Sequence, residues 1–396
     1  MNNPAIADII LSTSRTHGLV GVPSGARFPQ AQDALREAGF SPLPGGAFAA
    51  LPHQTRAARA TANALVHHAH EHGASITISS RPYLGDIGSD IAARLPGDWS
   101  ATVKTYPRRH WQEDLIGSLW DSGDLLKAML HDHVPCAVEL NNHAGTELLL
   151  IERPGHATGY LVGAFATEDY DANWEEPNAP RSIVLPAEVD RAARAVAHTF
   201  LPNYRRALYQ RRLDTVMSAL NRIRPEHEAL QTIKASHRPG DGTPHAGSRL
   251  HAQMERAFAD HAWLSFRDVL QHAPLLLARC RPTASPWPQD AGALSRLRDA
   301  LADSQNAWEE FNALRAELYS IPADLSAQEW SQVRSTLGTA VLPAIGTWLA
   351  DSETFERQAR AAVPGGHVAL SAPSPRLLTT SPAFPAPAGE RAPLTP

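Results

Sequence analysis

The run Ser79-Ser-Arg81-Pro-Tyr-Leu-Gly85-Asp86-Ile-Gly88-Ser89-Asp90 joins residue types that suit anion binding. It follows a β-branched stretch and enters a helical pattern, so it would carry the free amides of a helix N-terminus to a ligand. Arg81 would supply charge, Gly85 and Gly88 close backbone approach, and Asp86 and Ser89 side-chain hydrogen bonds. Ordinary helix capping asks for the same Ser, Asp and Gly, so the loop also has a purely structural reading.

The strongest charge feature lies between Arg191 and Arg224, where eight arginines stand against one acid, Asp214. Tyr204, Arg205, Arg206, Tyr209, Arg211 and Arg212 alternate guanidinium groups with aromatic rings, a combination suited to phosphate contacts and base stacking. At 100° per residue, Arg206 and Arg224 fall near Leu213 and Leu220, whereas Arg211 and Arg222 lie opposite. The charge therefore wraps around the helix, and part of it is expected to pair inside the protein. The acidic run Glu168, Asp169, Asp171, Glu175 and Glu176 is one such partner.

Metal and hydrolytic chemistry have weaker support. His67, His68, His70 and His72 crowd a helix C-terminus, where imidazoles complement the macrodipole. The i, i+4 pair His68 and His72 has two-ligand geometry, but Glu71 is placed on a different face and a third ligand must come from elsewhere. His131, Asp132 and His133 are the candidates for it. Asp169-x-Asp171-x-Asn173 opens like a calcium loop, yet Trp174 occupies the glycine position and Pro180 that of the closing glutamate. Glu139, Glu147 and Glu152 sit on strand-like runs as in Mg²⁺-dependent nucleases, without the lysine at Asn141 or Pro154. No metal site and no cofactor follow from these patterns. Phosphate-loop, dinucleotide, His-Glu-x-x-His and nucleophile-elbow motifs are absent.

The elements that must position these groups change type near Pro186. Before it, Leu19–Val22, a helix over Pro29–Ala38, a hairpin through Gly45-Gly46, a helix over Gln54–His72 and the strand Ser75–Ser79 give a β-α-β-β-α-β order, that of a ferredoxin-like unit. A helix over Ile87–Leu95, a strand Ala101–Tyr106, a helix over Trp111–Leu130 and an antiparallel meander of Cys136–Asn141, Glu147–Ile151 and Gly159–Phe165 follow. After Pro186 come only helical patterns: Ala187–Phe200, Asn203–Arg222 and beyond Pro225, Arg249–Arg279, Ala291–Tyr319 and Ala327–Ala362. The fold class is α+β. The expected units are 1–83, 84–185, a helical 186–363 with a polar loop at 236–248, and a disordered Pro-rich tail over 364–396.

A net charge of −5 gives no global basic field, so nucleic-acid binding would rest on a local patch. Cys136 and Cys280 are too far apart in sequence for a zinc knuckle and read as two inert buried thiols. No secretory leader or apolar run of membrane length is read, which makes a cytoplasmic protein without a membrane partner the expectation.

The blocks Ser79–Val103, Trp111–Leu126 and Leu148–Phe165, with the stretch from Arg281-Pro-Thr-Ala-Ser-Pro-Trp-Pro288 to Phe355, resemble hypothetical proteins of Streptomyces and related actinobacteria. The resemblance implies a source and no activity, and it assigns no functional residue. Two functions stand on the residues themselves. The first is a non-enzymatic binding or scaffold protein that engages nucleic acid or an acidic protein partner through the arginine-rich helix. The second is an enzyme, a hydrolase or a metal-dependent nuclease-like protein, with its site at 81–90 or in the 139–176 meander. A pocket gathering Arg81, Asp86, a histidine and a meander carboxylate would speak for the enzyme; an exposed arginine face would speak for binding.

Overall fold

In the computed structural model, described for residues 7–50, 55–167, 177–236, 247–319 and 327–364, two β-sheets meet along one seam. The first sheet contains β1 (Ala7–Ser14), β2 (Gly18–Ser24), β3 (Ser41–Pro42), β4 (Phe48–Ala50) and β5 (Ala74–Pro82), in the order β3-β4-β2-β1-β5. From β2 onward the chain follows the expected β-α-β-β-α-β order, with α1 (Phe28–Glu37) and α2 (Thr55–Glu71) as the crossovers. The expectation of a four-stranded unit is corrected by β1, which is antiparallel to β2 and parallel to β5 and so separates them. Its Ile9-Ile10-Leu11 run hides the alternation of a strand that buries both faces.

The two faces do different work because successive side chains point opposite ways. Ala7 and Ile9 pack with Ala31, Ala34 and Leu35 of α1 and Leu65 and Ala69 of α2. Val20, Val22 and Ala49, with partly buried Ile10, face the other way and join Tyr83, Val103 and Cys136, which bring in the second sheet. Gly45 and Gly46 hold φ of +85° and +93° in the β3–β4 turn, a conformation that favours glycine. That turn docks on the second sheet through Thr105 N–H to the Gly45 carbonyl at 3.0 Å.

The second sheet contains β6 (Ser100–Thr105), β7 (Leu119–Trp120), β8 (Cys136–Asn141), β9 (Glu147–Glu152), β10 (Tyr160–Phe165) and β11 (Ile183–Leu185). Its order is β11-β10-β9-β8-β6, with β7 paired to the far end of β10, so the expected meander is present as β8-β9-β10. Both faces are covered. Leu148, Leu150 and Val162 pack beneath α3 (Leu84–Ala92) and α6 (Val189–Ala195), while Leu149, Ile151 and Leu161 pack beneath α5 (Asp124–His131). The single helix expected over 111–130 is instead α4 (Arg109–Ile116), β7 and α5. Asp121, wholly buried, holds this break by accepting the Ser182 amide at 2.6 Å and the Leu126 amide at 2.9 Å.

Beyond β11 the described chain is helical. A short π turn over Val196–Phe200 leads into α7 (Leu201–Ser236), which runs unbroken through Pro225. Then come α8 (Gly247–Leu277), α9 (Ala291–Tyr319), α10 (Ala327–Ala350) and α11 (Ser352–Ala361). Their core contains Leu213, Val216, Phe266, Leu297, Val341, Trp348 and Phe355. The helix expected over Ala327–Ala362 is interrupted at Asp351. Among the described residues, no helix is long and apolar enough to cross a membrane. Most of the polar loop at 236–248 and the tail from 365 lie outside the described residues.

Candidate functional site

At the seam of the two sheets lies a cavity of about 250 Å³. The first sheet supplies Ile10, Ser12 and Val22, β5 supplies Ser79 and Arg81, and the second sheet supplies Cys136, Glu152 and the β9–β10 turn from Arg153 to His156. His133, Val134 and Pro135, which lead into β8, close another wall. Such a cavity forms because Ile10, Ser12 and Val22 point away from α1 and α2 toward the second sheet, with Tyr83, Val103 and Cys136 packed in the apolar cluster between the two.

Arg81 organises the wall. Its guanidinium is 9% exposed and donates from Nε to the Ala157 carbonyl at 3.2 Å, from Nη1 to the Gly159 carbonyl at 3.0 Å and from Nη2 to the Arg153 carbonyl at 3.0 Å. A further bond reaches the His156 carbonyl, and the Glu152 carboxylate lies 3.5 Å away. The arginine's fork is thus spent on the backbone of the β9–β10 turn. Asp86 faces elsewhere: it accepts from the Arg15 amide at 2.6 Å, Thr16 Oγ1 at 2.8 Å and Ser14 Oγ at 3.0 Å, pinning the β1–β2 turn. Gly85 and Gly88 give close packing: an added Cβ would fall 2.9 Å from Val103 Cγ2 at Gly85 and 2.5 Å from Val138 Cγ1 at Gly88. Ser89 is an exposed residue of α3. The 81–90 segment therefore buckles β1, β5 and the second sheet together, and of its five candidate residues only Arg81 reaches the cavity.

The cavity gathers Arg81, His133, His156 and the meander carboxylate Glu152, but not Asp86. Glu152 has the spare capacity. Among the described residues, its one polar partner is the 3.5 Å ion pair with Arg81. Burial pushes its carboxyl upward while Arg81 pulls it back down. His133 Nε2 is engaged with the Tyr106 carbonyl at 2.8 Å, and His156 Nδ1 with that of Pro154 at 2.9 Å. Glu139, Glu147 and Glu152 do not converge. Glu139 pairs with Lys104 at 3.7 Å, and Glu147 and Glu152 stand at opposite ends of β9. The nuclease arrangement is not formed, because a six-residue strand separates its carboxylates.

Cys136 also faces the cavity, and burial pushes its thiol up to about 12; burial, opposed by Arg298, pushes Cys280 up to about 11. Thiolate is the reactive form, so both should stay inert at pH 8. Titration with a chromogenic disulfide should find far less than one reactive thiol in the folded protein and both after denaturation. A fast single thiol would mean that the cavity opens at Cys136.

The arginine-rich helix is divided by its surroundings. Tyr204 and Arg211 lie on the face of α7 turned to the second sheet, where the Arg211 guanidinium stands 5.1 Å from the Trp120 ring centre and the Tyr204 ring meets Trp120 edge-on. Tyr209 lies on the other face and donates its hydroxyl to the Ala359 carbonyl at 2.8 Å. Tyr204, Tyr209 and Arg211 are therefore buried, Arg212 is half-buried, and Arg205 and Arg206 remain exposed. The expected surface of stacked aromatic and guanidinium groups does not assemble, because α7 has apolar neighbours on two sides. Other charges are engaged internally: Arg222 with Asp268 at 2.8 Å, and Arg224 with Ser352 Oγ at 2.7 Å. The acidic run 168–176 lies outside the described residues; just after it, Asn178 donates to Asp214 of α7 at 2.7 Å.

Comparison with known proteins finds no matching family model, no matching curated protein and no matching solved structure.

Proposed function

We propose that this is a small-ligand binding protein whose ligand occupies the cavity at the seam of the sheets and presents a cationic or hydrogen-bond-donating group to Glu152. The supporting observation is the unequal use of polar groups in the wall. Arg81 is consumed by backbone carbonyls and both histidines have carbonyl partners, so Glu152 keeps free lone pairs beside apolar Ile10, Val22, Leu84 and Val134. At about 250 Å³ the space exceeds the roughly 150 Å³ that admits benzene and falls short of the roughly 300–1,000 Å³ of sites for drug-sized ligands. Aromatic or branched aliphatic amines are the matching class.

Ligand-observed NMR with a panel of such amines, followed by calorimetry on the best, tests this reading. A hydrogen bond to a charged group contributes about 1.5–3 kcal/mol, so Glu152→Gln should weaken binding roughly 10- to 100-fold. Equal binding to wild type and variant would overturn it.

An acid–base enzyme is the second reading, favoured by one observation: the Glu152 carboxylate lines the same cavity as His133 and His156. New resonances appearing over time in the same NMR samples would support it. Binding of nucleic acid or an acidic protein through α7 retains only Arg205 and Arg206 as exposed members of the six-residue set.

A further inference from the structure

The C-terminal ends of α1 and α2 lie side by side because both helices bury alanine and leucine faces on the same side of the first sheet. There Glu37, the last residue of α1, meets the histidine-rich end of α2. Glu37 Oε2 is 3.3 Å from His68 Nδ1 and 2.9 Å from His72 Nε2. His68 Nδ1 is also 2.9 Å from Glu71 Oε2, so Glu71 shares the face of His68 and corrects the separate placement read from the sequence. Three residues subtend 300° on a helix, leaving only 60° between the two side chains. The group that meets His68 and His72 is thus Glu37, whereas His133 of the 131–133 segment is bonded to the Tyr106 carbonyl.

We propose that Glu37, His68 and Glu71 bind a divalent transition cation of the zinc class, with His72 orienting Glu37 or completing the coordination shell. Ligand atoms of the first three lie within 4.8 Å of one another. A tetrahedral ion with bonds of about 2.0–2.2 Å sets its ligand atoms about 3.3–3.6 Å apart, so the His68–Glu71 pair would open by about half an ångström and a carboxylate pair at the outer bound would close by about one, within reach of half-exposed glutamate side chains. The chemistry of the set selects the ion. An imidazole with two carboxylates suits Zn²⁺, Co²⁺ or Ni²⁺, whereas Mg²⁺ and Ca²⁺ take oxygen ligands. Two helix C-termini add their negative dipole ends at the same point, a field that favours a cation. The side chains of His68 and His72 are 24% and 26% exposed, and those of Glu37 and Glu71 50% or more, so the ion has a direct path in from solvent.

The test is titration of the untagged, chelator-treated full chain with Zn²⁺ by calorimetry and with Co²⁺ by visible absorption. One equivalent should bind with a dissociation constant in the micromolar range or tighter, and Mg²⁺ should not compete. His68→Ala and Glu37→Gln should each weaken Zn²⁺ at least tenfold. His72→Ala should cost about tenfold, the lower end of what loss of an orienting partner costs. His70→Ala, whose Cα direction is 200° around the helix from His68, should leave binding unchanged. His68→Gln serves if the alanine variant does not fold. No saturable binding, equal affinity in wild type and the His68 and Glu37 variants, or an equal loss in His70→Ala would each overturn the site.

Discussion

Replacement of Arg81 by alanine should destabilise the protein by about 3–5 kcal/mol, the range seen when one partner of a buried, hydrogen-bonded charge is removed. The guanidinium bonds four carbonyls of the 153–159 segment while pairing with Glu152. Truncation strands those carbonyls on a turn that β5 otherwise holds against the second sheet. The turn carries exposed residues at Gly155, His156 and Ala157, so water can reach some of the carbonyls, which keeps the cost near that range rather than at the sum of four bonds. Lysine should recover little of it, because a single ammonium cannot reproduce a planar fork directed at several carbonyls. Urea denaturation checks both variants through the midpoint, with an unchanged slope showing that stability rather than the unfolded state has moved. A loss below about 1 kcal/mol, the range of exposed ion pairs, would mean that Arg81 does not hold the turn.

How much of this could be read from the chain depends on the range of the interactions. The meander was legible because Leu148–Ile151 and Tyr160–Phe165 are apolar on both faces and are bounded by turns at Gly145 and Gly155. The helices after Pro186 were legible from their period. What failed was set by distant neighbours. β1 depends on pairing with β5, more than sixty residues away, and the break at Leu119–Trp120 depends on Asp121 finding the Ser182 amide. The arginine-rich helix shows the same limit at a candidate site: its charge was countable, but nothing local says that Trp120 comes to cover Arg211. Arg81 was found for an anion-binding role and instead holds a turn. Glu152 fits a nuclease pattern in the sequence and instead lines a cavity wall beside Arg81. Glu37 carried no local signal at all, since its relation to His68 exists only once α1 and α2 lie on the same sheet.

Trp120→Ala should cost about 3–5 kcal/mol, as expected for truncating a fully buried Trp. Its effect should spread across the change of character near Pro186. Trp120 belongs to β7, yet its ring meets Tyr204 at 5.8 Å between centres and Arg211 at 5.1 Å, both on α7. α7 in turn carries Leu201 and Tyr204 in the core of the second sheet and Leu213, Val216 and Leu220 in the helical core. One rigid helix thus spans both cores, and the tryptophan fixes its angle at the point where they meet. Removing the ring leaves a void and takes the aromatic face from a guanidinium that is only 6% exposed. Phenylalanine keeps a face and should recover more than half of the loss. Alanine at Trp120 and Arg211 together should fall short of the summed single effects by about 0.5–2 kcal/mol, the scale of a desolvated cation–π contact. Guanidinium denaturation of the four proteins measures this coupling. Strict additivity would mean that Arg211 is held by other partners and that the aromatic face contributes only its volume.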